Sequence, residues 1–194
     1  SSVVTVASTL WRLARDPNLR ILITNEKGTK AKKFLSEIVG HINNNQAFIT
    51  LFGDWISEKV KGMRWRTEGI DIKPRTKLVG KQGYSVGISS TEASATGDHY
   101  DIIICDDLVG QSNSKTVDQL DKVQKYVNDL GAVLEPSGEI DFVGTRWHYS
   151  DIYGRQITFL EEMGELANAK VLVKSAHKPD GSLYFPERLS KQFL

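Results

Sequence analysis

The sequence predicts an α/β fold, a mostly parallel sheet flanked by helices with additional antiparallel strands. Three observations carry that expectation. Asp101-Ile102-Ile103-Ile104-Cys105-Asp106-Asp107 has a β-branched apolar centre and ends in two adjacent carboxylates, which reads as a strand buried on both faces and therefore parallel. Leu19–Thr24 and Glu139–Val143 read as further strands. Between them, Ala31, Phe34, Leu35, Ile38, Val39 and Ile42 recur at helical spacing.

Bulk composition bounds the class. The 194 residues are enough for one large domain with a real core, and 40% hydrophobic with 25% charged residues describes an ordinary globular chain. Net charge is +1, so no global field drives nucleic-acid binding, and any basic surface must be local. The single cysteine, Cys105, falls inside the apolar run, which suits packing and a reducing interior rather than a disulfide framework. No apolar run approaches the roughly 18 residues of a membrane span, and no signal-peptide pattern is present.

Taken in order, the chain opens with Val3, Ala7, Leu10, Trp11 and Ala14 at helical spacing, and Asp16-Pro17-Asn18 ends that helix before the Leu19–Thr24 strand. Lys27, Lys30, Lys32 and Lys33 crowd the start of the next helix and read as a solvated face, and Asn43-Asn44-Asn45 breaks that helix. From Asp54 to Lys81 basic residues are frequent, with Trp55 and Trp65 interleaved. Met63, Trp65 and Thr67 alternate with Arg64, Arg66 and Glu68, and Lys77-Leu78-Val79 and Tyr84–Ile88 read as companion strands. Exposed arginines on such a ribbon (Arg64, Arg66, Arg75) can touch DNA phosphates or a neighbouring subunit's nucleotide; the plainer alternative is a sheet edge guarded by charge.

Thr96-Gly97-Asp98-His99 reads as a turn into the Asp101 strand. Ser114 is placed to cap a helix carrying Val117, Leu120, Val123, Val127 and Leu130, closed by Gly131. Ala132-Val133-Leu134 and Glu139–Val143 read as two strands flanking a Pro136-Ser137-Gly138 turn. Ser150-Asp151 is placed to cap a helix running to about Met163, and Lys170–Lys174 reads as a last strand before the turn Pro179-Asp180-Gly181-Ser182.

The chemistry concentrates at Asp106 and Asp107. Two charges at the tip of a buried strand are costly unless neutralised, and in open α/β sheets ligands lie just beyond the carboxyl ends of strands. A metal ion carrying a polyphosphate satisfies both conditions, which is the pattern of a Walker B strand. Asp106 would orient Mg²⁺ and Asp107 would polarise the water attacking the γ-phosphate. A glutamate more usually fills the second position. The alternative is a strand end whose acids cap the next helix or pair with nearby Lys and Arg. If the Glu139–Val143 strand is a neighbour, Thr145 reaches the same crevice and Arg146 can contact phosphate; otherwise Gly144–Tyr149 is a turn with Trp147 packed on the core. The four histidines show no metal-ligand spacing.

These stretches together resemble the ATPase domain of the large terminase subunit, the DNA-packaging motor of tailed bacteriophages. Ser1–Leu13 resembles the helix after that family's Walker A loop and Asp16–Ile23 the strand that follows. Tyr100–Val109 resembles its Walker B strand, Val143–Gly154 its coupling motif, and Tyr184–Arg188 the segment leading to its nuclease domain. The resemblance implies a RecA-like P-loop fold of the ASCE type, Mg²⁺ and ATP as cofactors, and hydrolysis coupled to translocation of double-stranded DNA into a capsid. It implies a homo-oligomeric ring on the portal protein, working with the small terminase subunit in the host cytoplasm without a membrane. By position it makes Ser1 the Walker A hydroxyl on Mg²⁺, Asp106 the metal carboxylate, Asp107 the catalytic carboxylate and Thr145 the coupling residue.

It further implies that residues 1–194 begin just after the Walker A loop and end near the linker to a nuclease domain, so that these residues alone hydrolyse ATP little or not at all while the full-length protein is also an endonuclease. Some family members carry an arginine in the loop before Walker B. Here Ser94–His99 has none, which leaves Arg64, Arg66, Arg75 and Arg146 as candidates for the arginine that completes a neighbour's site. The rival expectations are a helicase-like nucleic-acid-dependent ATPase and a non-catalytic module that binds DNA or portal.

Overall fold

The computed structural model describes residues 2–58, 60–76, 83–93, 97–175, 177–184 and 186. Ser1, the Lys77-Leu78-Val79 strand, Ser94–Thr96 and most of Phe185–Arg188 therefore lie outside the described residues. The chain divides into two compact units, Ser1–Arg155 and Gln156–Leu194.

The first unit is a mixed α/β layer structure. Its elements are α1 (Ser2–Arg15), β1 (Ile21–Asn25), α2 (Gly28–Asn44), α3 (Gln46–Phe52), β2 (Trp65–Arg66), β3 (Gly69–Ile70), β4 (Val86–Ser90), β5 (Tyr100–Asp106), α4 (Val117–Leu130), β6 (Leu134–Val143) and the start of α5 (Ile152–Glu162). The six strands form one sheet in the order β2-β3-β4-β1-β5-β6. β4, β1, β5 and β6 run parallel, and the β2–β3 hairpin adds antiparallel to β4.

Strand alternation explains the two cores. Ile21, Ile23, Ile102 and Ile104 pack with Leu10, Leu13, Phe34 and Ile38 from α1 and α2, whereas Leu22, Ile103 and Cys105 pack with Val123, Tyr126, Val127 and Leu130 of α4. Both faces of β1 and β5 are covered, as continuous apolar runs require.

Several elements differ from the sequence expectation. In α1 the buried stripe is Thr5, Val6, Thr9, Leu10 and Leu13, while Val3 and Trp11 are exposed. The helix is where its apolar spacing put it, but its inner face is rotated because two threonines are buried with their hydroxyls engaged. The cap of α4 is Thr116 rather than Ser114: its side chain accepts from Gln119 N–H, and Gln119 reaches back in a capping box. Val117 then faces solvent.

The expected turn at Pro136-Ser137-Gly138 is instead a bulge within one strand. Tyr100 pairs with Leu134 and Ile102 with Glu139, so both halves of β6 pair in the same direction with β5. Pro136 has no N–H to give the ladder, and Gly138 closes the bulge where a Cβ would come within 2.8 Å of the Asp101 carbonyl oxygen.

In the second unit, Lys170–Lys174 is not a strand. Among the described residues it pairs with no other segment, and Val171, Leu172 and Val173 are all exposed, so neither side is covered. The turn at Pro179–Ser182 is present, closed by the His177–Leu183 bridge and by Lys178 N–H donating to Ser182 O at 2.7 Å.

Candidate functional site

Because β1, β4, β5 and β6 are parallel, their carboxyl ends share one edge of the sheet. Backbone and amide contacts stitch these tips together. Asn25 Nδ2 donates to Asp106 O at 2.7 Å, Glu26 N–H donates to Asp107 O at 3.2 Å, and Asp107 N–H donates to Val143 O at 2.8 Å. Below them, the Thr24 and Tyr126 hydroxyls lie 2.6 Å apart and Tyr126 donates to Ser89 Oγ at 3.0 Å.

Asp106 is wholly buried and accepts the Thr5 hydroxyl of α1 on Oδ2. Thr9 fixes that turn by donating its own hydroxyl to Thr5 O at 2.8 Å. Asp107 is half-buried and carries a φ of 46°, the one non-glycine left-handed residue among those described. Aspartate tolerates this region better than most residues, and here the turn aims its carboxylate toward the tip of β6. A Cβ at Gly144 would stand 3.3 Å from Asp107 Oδ1 and 1.9 Å from the Tyr153 hydroxyl, so the absent side chain makes room for the phenol beside the acid. Burial, and then the Asp107 charge, push the Tyr153 pKa upward, so it stays a neutral phenol there.

Thr145 follows Gly144 and is exposed at the next tip along, so the predicted trio Asp106, Asp107 and Thr145 does converge on neighbouring strand ends. Arg146 folds back onto its own loop. Its Nε lies 2.8 Å from Asp151 Oδ1 and its Nη2 donates to Tyr149 O at 2.8 Å. Asp151, fully buried, also accepts from Trp147 and Gly154 N–H and so caps α5 as expected. Trp147 is 51% exposed, which overturns the alternative that it packs on the core.

The ribbon arginines are elsewhere. β3 pairs with the first residues of β4, so the hairpin lies toward the amino edge of the parallel strands, away from Asp106. There Arg75 is buried with Nη1 2.7 Å from Asp71 Oδ1, and Arg64 reaches Asp71 Oδ2 at 3.0 Å while stacking 4.0 Å from the Tyr84 ring centre. Desolvation lowers the Arg75 pKa against the opposing pull of Asp71. The expected exposed arginine face is thus corrected: Asp71 draws Arg75 wholly inside and Arg64 partly so, and only Arg66 is fully solvent-facing.

Sequence reasoning missed Thr5, Asn25, Glu26 and Tyr153. Asn25 and Glu26 come beside Asp106 and Asp107 through sheet register, and Thr5 through the packing of α1 on the sheet; Tyr153 is named only within a longer motif. Asp106, Asp107 and Thr5 offer hard oxygen donors, the set that suits Mg²⁺. Among the described residues no group of three or more His, Cys, Asp or Glu is placed to hold a metal, so a cation here would take one or two carboxylates and complete its shell from phosphate and water.

No protein-family model matches the chain. It is 27% identical to the terminase large subunit of Enterobacteria phage T3 over 194 aligned positions, covering 97% of this chain and 30% of that protein. The chain is thus distantly similar to a terminase large subunit along nearly its whole length, while spanning less than a third of that relative.

Proposed function

We propose that this chain is the nucleotide-hydrolysing core of a viral DNA-packaging motor, with a RecA-like P-loop fold. The observation that carries the reading is the buried Asp106 and the strained Asp107 at the carboxyl tip of β5, with the Thr5 hydroxyl on one side and the tip of β6 on the other. The distant similarity to a phage terminase large subunit supports the same assignment.

In this mechanism Asp106, held by Thr5, would hold a magnesium ion, which would offset charge on the transferring phosphoryl group. Asp107 accepts a proton from the attacking water or aligns it. Its left-handed backbone, fixed by hydrogen bonds at both Asp107 N–H and Asp107 O, holds the carboxylate at the crevice without side-chain rearrangement. Aspartate is one methylene shorter than glutamate, so the water must sit closer to β5. Thr145, directly after Gly144, reports the state of the site to β6 and α5, and through them to a DNA-gripping surface. The assembly this reading calls for is a ring on a portal, acting on double-stranded DNA with a small terminase subunit in the host cytoplasm.

The test is ATP turnover by the whole protein carrying Asp107→Asn. Asparagine keeps the left-handed turn, so nucleotide binding should be retained while turnover drops by roughly 10²–10⁴-fold, the range for loss of a positioned base. Turnover at the unmodified rate would remove Asp107 from the chemistry. Retained DNA or portal binding with no turnover in the unmodified protein would favour the non-catalytic module.

A further inference from the structure

A cleft opens at the same sheet edge, beside the tip of β1. It has a volume of about 480 Å³ and is lined by Glu26, Lys27, Lys30, the Gly110–Ser112 loop, Lys115 and Trp147. We propose that it is a docking cleft for the phosphodiester backbone of DNA, held by Lys27, Lys30 and Lys115.

Charge is the first argument. The chain as a whole is nearly neutral at +1, yet this cleft sets three ammonium groups against one carboxylate. That carboxylate, Glu26, is on the floor, buried and bonded to the Ser112 hydroxyl, whereas the three lysines are exposed at the rim. Among the described residues none of the three is ion-paired, in contrast to Lys73, whose Nζ lies 2.7 Å from Asp54. A concave site of one sign focuses its field and attracts polyanions at a distance.

Local structure is the second. Lys27 and Lys30 flank the start of the 17-residue α2, whose N-cap carries no side-chain hydrogen bond, so the positive end of that helix adds to the lysine field. The Gly110–Ser112 loop is held by hydrogen bonds. Gly110 N–H donates to Asn113 Oδ1 at 2.8 Å, Asn113 Nδ2 donates to Leu108 O at 2.9 Å, and Gln119 Nε2 donates to Ser112 O at 3.1 Å. Half-exposed Trp147 supplies an apolar face against which a sugar can lie.

The open rim also selects the kind of phosphate. A nucleotide's phosphates are usually cradled by backbone N–H groups in an enclosed loop, whereas flexible lysines spread around an open rim suit a backbone that must be gripped and released irrespective of sequence. The choice of DNA rests on the packaging reading above; the lysine geometry does not.

The experiment is fluorescence anisotropy of the whole protein with a short mixed-sequence DNA duplex across a salt series. It compares the unmodified protein, the triple variant Lys27→Ala/Lys30→Ala/Lys115→Ala, and the same positions changed to Arg. The alanine variant should bind at least roughly tenfold more weakly and flatten the log–log salt slope by about 2–3, since each phosphate left without its lysine removes about 0.9 from the slope. The arginine variant should keep affinity and slope, and Mg²⁺-ATP affinity should be unchanged in both. Unaltered DNA affinity and slope in the alanine variant, absence of DNA binding in the unmodified protein, or a parallel loss of ATP affinity would each overturn the proposal, the last by assigning the cleft to the nucleotide. Asp107→Asn turnover is read separately, so failure of the cleft and failure of the hydrolytic site are distinguishable.

Discussion

The two ends of the parallel sheet bury acids in opposite ways. At the amino edge, Asp71 is wrapped by Arg75 and Arg64, and Asp101 is held by the buried Arg20 at 2.9 Å. At the carboxyl edge, Asp106 meets the Thr5 hydroxyl and Glu26 meets the Ser112 hydroxyl. Guanidinium forks saturate a carboxylate and lock it in place, which is a structural use of charge. A neutral hydroxyl donor positions a carboxylate without a guanidinium fork closing over it. Burial of an acid is therefore not itself a functional signal; the chemistry of its partners separates the two uses.

Mutation should expose that separation most strongly at the amino edge. Asp71→Ala strands the buried Arg75 guanidinium, and we expect a loss of about 3–5 kcal/mol in chemical denaturation, the range for breaking a buried pair. By contrast Asp106→Asn keeps an oxygen acceptor for Thr5 and should cost less than Asp71→Ala in the same measurement. Equal costs at the two positions would erase the contrast. Gly144→Ala drives a methyl into the Tyr153 phenol beside Asp107 and should destabilise by about 1–3 kcal/mol, seen as a lower thermal midpoint. Thr116→Ala, which touches neither Asp71 nor Asp106, should cost about 1 kcal/mol through loss of the α4 capping box.

A pH titration sharpens the same picture from the neutral side. Tyr100, Tyr126 and Tyr153 are pushed by burial above the ordinary phenol value of 10.0, and their folded-state pKa is therefore the higher one. The stability they contribute is complete below about pH 10 and declines as pH rises beyond it, because only the unfolded chain releases those protons there. Tyrosinate absorbance from these three should appear together with unfolding rather than before it.

How much of this the sequence discloses depends on whether burial follows hydrophobicity. The α2 helix is legible because its inner face is Ala31, Phe34, Leu35, Ile38 and Ile42, all apolar. In α1 the face is displaced by Thr5 and Thr9, which are polar, buried and satisfied, so apolar spacing points elsewhere. The β6 bulge hides because Pro-Ser-Gly has turn chemistry, and only pairing with β5 shows that the strand resumes in the same direction. Asp106 and Asp107 stand out because their run is so apolar up to its last residues. Glu26 and Lys115 belong to the same crest through register and loop path, for which a single sequence carries no local mark. The ribbon arginines show the converse error: Arg64 and Arg75 look exposed until Asp71, seven residues from one and four from the other, folds between them.

The most direct test of the central claim is Mg²⁺-dependent nucleotide binding by the whole protein, unmodified and with Asp106→Asn, measured at a temperature where both are folded. Magnesium should tighten ATP binding to the unmodified protein and have little effect on the variant. If the variant responds to magnesium as the unmodified protein does, Asp106 is a structural acid like Asp71, and the hydrolytic centre is not at the tip of β5.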